Sequence, residues 1–439
     1  MLSRFKKLYA ILFLGLFFFS LTSSAFAQSA PSRVDVLTVK GAIVPVVADY
    51  IKRGIAEASK GSVALIIQLD TPGGLVSTTQ EIIEAILASP VPVVVYVSPA
   101  GGWAGSAGSF ITISGHVAAM APGTFIGAAH PISLAPSGVG QAAPQAVDEK
   151  TVNALASSIR SIAQERRRNV EAAEKMVRES LAITDDEAKT QGVVDLRARS
   201  LDELLVKLET EIKEVELQGG KRVALRTKDA TVNYIPMNVS ERFLHTISDP
   251  NIAYILLSLS MLALIIELSS PGIGLPGIFG ALGLLTSLYA LGVLGAYWVG
   301  IVIILLAFVL LLAEAFITSH GILAIGGVAS LSLGSVLLFS GSPTFRISPV
   351  LIAGVVIAVS AFFILVITAV VRNQRRPQPT GMEGMIGAIA VARTPLKPHG
   401  TVFILGELWE AIADEEVEVG EKVVITKVEG LKLRVTKTR

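Results

Sequence analysis

At 439 residues the chain has room for two or three domains, and a 51% hydrophobic content with a mean hydropathy of +0.63 excludes a wholly soluble protein. The formal net charge of +1 excludes a strong overall field for nucleic acid or an anionic surface, so any electrostatic preference must be local. The absence of cysteine excludes disulfides, Cys-zinc sites and a thiol nucleophile, without deciding the compartment.

The first residues bear on the compartment. Arg4, Lys6 and Lys7 precede an apolar run, residues 8–21, that ends in Ala25-Phe26-Ala27. A basic start, a short apolar run and a small-residue site describe a cleavable secretory signal, residues 1–27, so the mature chain is expected to begin outside the cytoplasm.

From Arg33 to about Asp202, short β-branched runs alternate with longer amphipathic stretches, the pattern of βαβ units. Residues 63–70 read as a buried strand stopped by Thr71-Pro72-Gly73-Gly74. A helix comes next over 80–87, then a buried strand over 91–97, and a short helix over 106–113 after a Gly-rich turn. A strand at 117–121 precedes helices over about 148–168, 171–180 and from 185 to Gly192, with Asp185 and Asp186 suited to the positive end of the last. Arg166-Arg167-Arg168 reads as a solvated helix end. Residues 133–144, uncharged and rich in Gly, Pro, Ala and Gln, read as a lid able to receive an apolar peptide. A charged helix over 201–216 and a polar hairpin from Gly219-Gly220 to Tyr234 read as a spacer leading to the membrane.

Between Asp249 and Arg372 almost no charge appears, and five apolar segments can be marked at about 250–269, 274–294, 297–316, 321–340 and 349–371. Five spans from an external start end inside, where the positive-inside rule places Arg372, Arg375 and Arg376. Glu267 and Glu314 stand forty-seven residues apart, each seven positions before a glycine, Gly274 or Gly321, which suggests a repeated helix pair. A carboxylate inside a span invites a functional reading; one at the headgroup level does not. From 382 onward five short strands of alternating polarity suggest an OB-like barrel whose charges nearly cancel, which argues against a nucleic-acid groove.

The chemistry is to be sought in the exported domain. Pro99-Ala100-Gly101-Gly102-Trp103-Ala104-Gly105-Ser106-Ala107-Gly108 sets Ser106 at a helix N-terminus, where unpaired amides and the dipole favour an alkoxide or oxyanion. Asp70-Thr71-Pro72-Gly73-Gly74 ends a neighbouring strand, and the amides of Gly73 and Gly74 can face the same space. A serine that merely caps a helix would show the same local pattern; two Gly-rich strand ends in one βαβ unit point beyond it. His116, His245, His320 and His399 show no ligand spacing, so no metal and no cofactor is expected.

These motifs, with Met120-Ala121-Pro122-Gly123-Thr124-Phe125-Ile126-Gly127, Arg167-Arg168-Asn169, the spans and the terminal barrel, resemble the long-form NfeD family of membrane serine proteases along essentially the whole mature chain. The resemblance implies an α/β ClpP/crotonase-like domain over 28–235, an all-α transmembrane bundle over 248–372 and an all-β OB-fold over 380–439. It implies a Ser–Lys protease that cuts an apolar segment of a stomatin- or flotillin-like membrane partner, with Ser106 as nucleophile and Gly73, Gly74 and Ala107 as oxyanion and substrate-binding positions. A homodimer or higher oligomer is the expected assembly.

The base is less direct. Arg160, on the helix where the resemblance places the family's lysine, cannot give up its proton near neutral pH. Three readings stay open: Lys150 on the same helix, its pKa lowered by burial beside Ser106; His130, oriented by Glu179; or an inactive site on a scaffold that organises stomatin-like assemblies. A crotonase-type acyl-CoA enzyme shares the fold and oxyanion logic but sits badly with export.

Overall fold

The structure, a computed structural model, describes residues 32–131, 148–269, 272, 274–317, 319–340, 345–374 and 382–438. The expected signal segment 1–27, the stretch 133–144 expected as a lid, Arg375 and Arg376 lie outside the described residues.

The α/β domain is built on a six-stranded, wholly parallel sheet. Its strands are β1 (Arg33–Lys40), β2 (Ala64–Asp70), β3 (Val93–Val97), β5 (Val117–Met120), β8 (Leu196–Arg197) and β11 (Thr231–Tyr234), in the order β11-β1-β2-β3-β5-β8. A parallel sheet is covered on both faces, which is why its central strands are continuous apolar runs; every residue of β3 is buried. Val34, Val36, Ile66 and Val94 face one layer, and the alternating residues Leu37, Leu65, Ile67 and Val95 face the other. Helices α1 (Pro45–Ala58) and α3 (Ala107–Ser114) pack against the sheet, with α2 (Val76–Leu87) against both of them. A second sheet joins β4 (Trp103–Gly105), β6 (Phe125–Gly127) and β7 (Ala182–Thr184), and α4 (Glu149–Glu165), α5 (Val170–Arg178) and α6 (Asp185–Thr190) complete the layer as expected. This is the α/β architecture that the alternating pattern predicts, a parallel central sheet layered with helices.

The spacer reading does not survive. Helix α7 (Leu201–Lys207) is continued by a π-turn over Leu208–Ile212, and β9 (Glu214–Glu216) pairs with β10 (Arg222–Ala224) around Gly219-Gly220. Leu204, Leu205, Leu208, Val215 and Leu217 close one face of the sheet, and β11 extends it beside β1. Asp35, fully buried, fixes that edge by accepting from Asn233 at 2.7 Å and from Ser62 at 2.6 Å. The segment is part of the core because its apolar residues are needed to cover strands that no other element covers.

Helix α8 (Val239–Ile247) is tied to α1 by a two-pronged Arg53–Glu241 pair at 2.8 and 2.7 Å, and Glu241 also closes a capping box with Asn238. Five apolar helices come next, where the sequence places them: α9 (Pro250–Ser269), α10 (Leu275–Val293), α11 (Trp298–Phe316), α12 (Ile322–Leu337) and α13 (Pro349–Gln374). By length and composition α9, α10 and α13 can cross a membrane, while the apolar stretches at 298–314 and 322–337 are shorter. Among the described residues, three of the five expected spanning segments are thus long and apolar enough to cross a membrane.

The repeat is real in space. Glu267 accepts from the amides of Gly274 and Gly277, and Glu314 from those of Gly321 and Ala324, in each case seven and ten residues on. A Cβ on Gly280 would meet Leu264 and the Ser260 carbonyl, and one on Gly327 would meet Leu311 and the Ala307 carbonyl. These contacts of the α9–α10 hairpin thus recur in the α11–α12 hairpin forty-seven residues later. The two carboxylates close the hairpin turns, which answers the headgroup-level reading with a structural role.

After a short turn (Met382–Met385), β12 (Ile389–Ala392), β13 (His399–Ile404), β14 (Glu407–Ala413), β15 (Lys422–Glu429) and β16 (Lys432–Lys437) close into a five-stranded barrel in the order β12-β13-β14-β16-β15. Its core is Ala390, Val402, Ala411, Val423, Leu433 and their neighbours.

Candidate active site

Two loops lie side by side at the ends of β2 and β3. The Thr71 amide donates to the Trp103 carbonyl at 2.8 Å, the Gly105 amide to the Thr71 carbonyl at 2.9 Å, and the Trp103 amide to the Asp70 carboxylate at 3.3 Å. The Thr71 hydroxyl accepts from the Gly73 amide at 3.0 Å, curling the loop back on itself. The sequence-predicted meeting of the two Gly-rich strand ends is therefore made by backbone pairing.

Ser106 sits where this pairing stops and α3 begins. Its backbone has a positive φ (φ 49, ψ −110), a conformation costly for a residue with a Cβ, and its side chain caps nothing. A helix-capping serine would have an extended backbone and bond the first turn, so the purely structural reading is not what the chain adopts. The hydroxyl of half-buried Ser106 makes no hydrogen bond among the described residues. Gly73 (φ +125) passes so close that a Cβ on it would lie 3.2 Å from the serine Oγ.

Gly74 is held the same way from behind: a Cβ there would stand 2.1 Å from the Ile43 carbonyl. Ile43 bonds the residues on either side, donating to the Gly73 carbonyl and accepting from the Leu75 amide, both at 2.9 to 3.0 Å. The Gly74 amide is left over, as is that of Ala107 at the first position of α3; neither donates to any described residue. Gly74, Ser106 and Ala107 line one cleft with Val76, Phe110 and Leu155. A hydroxyl and two amides left without a partner among the described residues, sharing one cleft with apolar walls, can hold a carbonyl carbon near the hydroxyl and its oxygen near the amides.

The proposed bases are placed differently. Lys150 is exposed in the first turn of α4, and its amide, not its ammonium, bonds the Asp148 carboxylate at 3.1 Å. Burial beside Ser106 is absent in this conformation. Five residues on, Leu155 of the same helix lines the cleft; five further, Arg160 turns to Ser157 and Glu174. Ala129 and Pro131 line the cleft, whereas the His130 ring between them turns to the Val177 carbonyl, which accepts from Nδ1 at 2.8 Å. That bond fixes the tautomer and leaves Nε2 with a lone pair. It is Val177 that orients the imidazole; Glu179 is exposed and makes no hydrogen bond to it.

One set of residues was misread from sequence. Arg167 is solvated, but Arg166 and Arg168 turn inward onto the far end of α3. Arg166 Nε donates to the Ser114 carbonyl at 2.9 Å, and Arg168 Nη1 to Gly115 at 3.0 Å and to Ile113. Arg168, 5% exposed, also pairs with Asp195, which accepts from the Ala118 amide at 2.7 Å. Two guanidinium groups thus cap the negative end of the helix whose positive end carries Ser106. Burial, then repulsion from Arg168, lowers Arg166 to about 10, and burial followed by both arginines lowers His116 to about 3. The lone acid Asp195, one turn beyond Gly192, is the sequence signal that could have marked a buried arginine. Among the described residues no cluster of three or more acids and histidines suits a metal ion.

An α/β domain with a Gly-rich serine cleft, followed by apolar helices and a small closed barrel, defines a class of modular membrane proteins, and comparison places the chain within it. Residues 33–234 match the NfeD1b N-terminal domain, 251–369 the NfeD integral membrane domain and 382–437 the NfeD-like C-terminal, partner-binding domain. The chain is 34% identical over 421 residues to a membrane-bound protease of Pyrococcus horikoshii, covering 93% of this chain and 94% of the relative. It is 28% identical over 447 residues to the membrane protein NfeD1b of Bacillus subtilis, covering 96% of each. A solved membrane protease domain specific for a stomatin homologue, from Pyrococcus horikoshii, is 32% identical with a TM-score of 0.43, over 50% of this chain and 100% of that one. The chain belongs to the NfeD family of membrane proteins.

Proposed function

We propose that this chain is a membrane-anchored serine endopeptidase that cuts apolar segments of a stomatin- or flotillin-like membrane partner. The observation that carries the reading is Ser106 itself: a hydroxyl on a strained backbone that makes no hydrogen bond among the described residues, in one cleft with Gly74 and Ala107, whose amides donate to no described residue. In the reaction Ser106 Oγ attacks the scissile carbonyl while its proton passes to a base, and the two amides hold the developing oxyanion. Collapse expels the amine, which takes that proton, and water then hydrolyses the acyl-enzyme. Apolar walls such as Val76, Phe110 and Leu155 suit an apolar side chain beside the cut bond.

Lys150 is the base we favour. It lies one and a half turns, about 7.5 Å along the axis, before cleft-lining Leu155, at the point where α4 meets the lid stretch. A shift of that first turn on substrate binding would deliver an amine, and general-base contacts commonly tighten only in the complex. His130 is the second choice, since its free Nε2 requires the ring to swing away from Val177. Neither hydrogen-bonds to Ser106 in this conformation, the observation that keeps a non-catalytic scaffold as the rival reading.

The family relationship supports a protease, since the Pyrococcus horikoshii relative bears that description. The export signal, the apolar helices and the basic cluster after α13 support a proteolytic domain outside and a barrel inside the cell membrane. Fluorophosphonate labelling of the purified chain tests the enzyme reading: labelling lost in Ser106→Ala is expected, and an inert wild type rejects it. Peptide hydrolysis against pH for Lys150→Ala and His130→Ala separates the bases. A reporter fused after Arg376 that is active only outside would overturn the topology.

A further inference from the structure

Both ends of the barrel are exposed, and they differ. The strand register places the start of β12, the β13–β14 turn and the β15–β16 turn at one end, because Val391 pairs with Phe403, Ile404 with Glu407, and Glu410 with Lys432 in parallel. At that end Ile386, Ile389, Leu405, Leu408 and Leu431 are 51, 58, 77, 66 and 76% exposed. The β14–β15 loop at the opposite end carries Asp414, Glu415, Glu416 and Glu418, all exposed, with Val419 its single exposed large apolar residue. Of the charges near the apolar end, Glu410 and Glu429 are paired with Lys432 and Lys427, and exposed Glu407 stands at the β13–β14 turn between Leu405 and Leu408.

We propose that the apolar end of the barrel, Ile386, Ile389, Leu405, Leu408 and Leu431, docks into the interface of the lipid bilayer. Chain connectivity selects that occupant. The turn Met382–Met385 enters the barrel at this end, and the seven residues between Gln374 and Met382 reach about 30 Å at full extension. The apolar end is therefore leashed to the terminus of α13, whose stretch Pro349–Ala369 is apolar enough to cross a membrane. Charge agrees, since an anionic leaflet repels the acidic loop and so turns the apolar end inward. Five aliphatic side chains also offer less than the ~800 Å² that a standard protein interface buries on each side, whereas shallow insertion needs no such area. The acidic end and the barrel wall stay free for the family's partner-binding role. The inference does not depend on the proposed proteolysis.

The chain has no cysteine, so single thiols report cleanly. Leu405→Cys, Leu431→Cys and Glu416→Cys, each at an exposed position, are labelled with an environment-sensitive fluorophore in the full chain, reconstituted in phosphatidylethanolamine–phosphatidylglycerol nanodiscs. Nitroxide lipids are expected to quench positions 405 and 431 at least roughly threefold more than 416, with aqueous iodide showing the reverse order. Equal iodide quenching at all three positions overturns the proposal. So does shielding of 405 and 431 from both quenchers, which assigns the patch to a second copy of the chain.

Discussion

A methyl group on Gly73 would stand 2.7 Å from the Cβ of Ser106, inside any permissible contact. The two residues come from different loops, so the glycine sets how far the serine can lean toward the Gly74 and Ala107 amides. Gly73→Ala must push Ser106 away and also bear a φ of +125 that costs ~1–3 kcal/mol. Displacement by an ångström at a reacting centre lowers rate by about a hundredfold. A comparable fall in fluorophosphonate labelling rate is expected, with the protein still folded by circular dichroism. Labelling at the wild-type rate would show that this contact does not position the nucleophile.

Arg168 is the buried counterpart at the other end of α3. It joins Ile113, Gly115 and Asp195, and Asp195 in turn holds Ala118 on β5. Arg168→Met leaves a carboxylate and two carbonyls without their donor, and breaking a buried pair from one side costs ~3–5 kcal/mol. Urea denaturation of the α/β domain is expected to show a loss of that order for Arg168→Met. Arg168→Met with Asp195→Asn should lose less than the sum of the two single changes, because the second change removes the stranded charge. Additive losses would mean that the pair acts as two separate contacts.

Much of this architecture is legible from residue pattern. The apolar run at 63–70, the start of α3 at Ser106 and the helix over 250–269 need only local periodicity and breakers. What escapes it is long-range. Strand β11 pairs with β1 across nearly two hundred residues, and its polar face gives no hint that an edge is waiting. The inward turn of Arg166 and Arg168 depends on carbonyls fifty residues away that no spacing rule reaches. Lys150 and His130 could be named from residue type, but which way each points is decided by helix phase and by the Val177 carbonyl.

His116 couples stability to pH. Its Nδ1 accepts from the Val93 amide at 3.2 Å, so the ring is held neutral, and burial beside Arg166 and Arg168 depresses its pKa to about 3 against 6.5 in the unfolded chain. The unfolded state then binds the extra proton between those values, so this contribution is complete above pH ~6.5 and is lost as pH falls toward 3. The slope is at most about 1.4 kcal/mol per pH unit. His116→Gln should flatten the denaturation midpoint between pH 6.5 and 4 relative to wild type. An unchanged slope in the variant would assign the acid sensitivity to the carboxylates.

The paired hairpins make a last, quantitative demand. Glu314 accepts from Gly321 and Ala324 at 3.0 and 3.1 Å and from the Ser319 hydroxyl, whereas Glu267 reaches Gly274 and Gly277 at 3.2 and 3.4 Å. In an apolar setting an amide at a helix start has no water to replace its acceptor, so removing the carboxylate destabilises the hairpin. Glu314→Ala should therefore destabilise the membrane region more than Glu267→Ala, and Glu314→Gln, which keeps one acceptor oxygen, less than either. Trp298 at the start of α11 is the natural reporter once Trp103 and Trp409 are changed to phenylalanine, because it is then the sole tryptophan. Thermal unfolding followed at Trp298 in nanodiscs gives the order directly. Equal midpoints for the alanine and glutamine variants would mean that neither carboxylate holds its hairpin closed, and that packing at Gly280 and Gly327 does so alone.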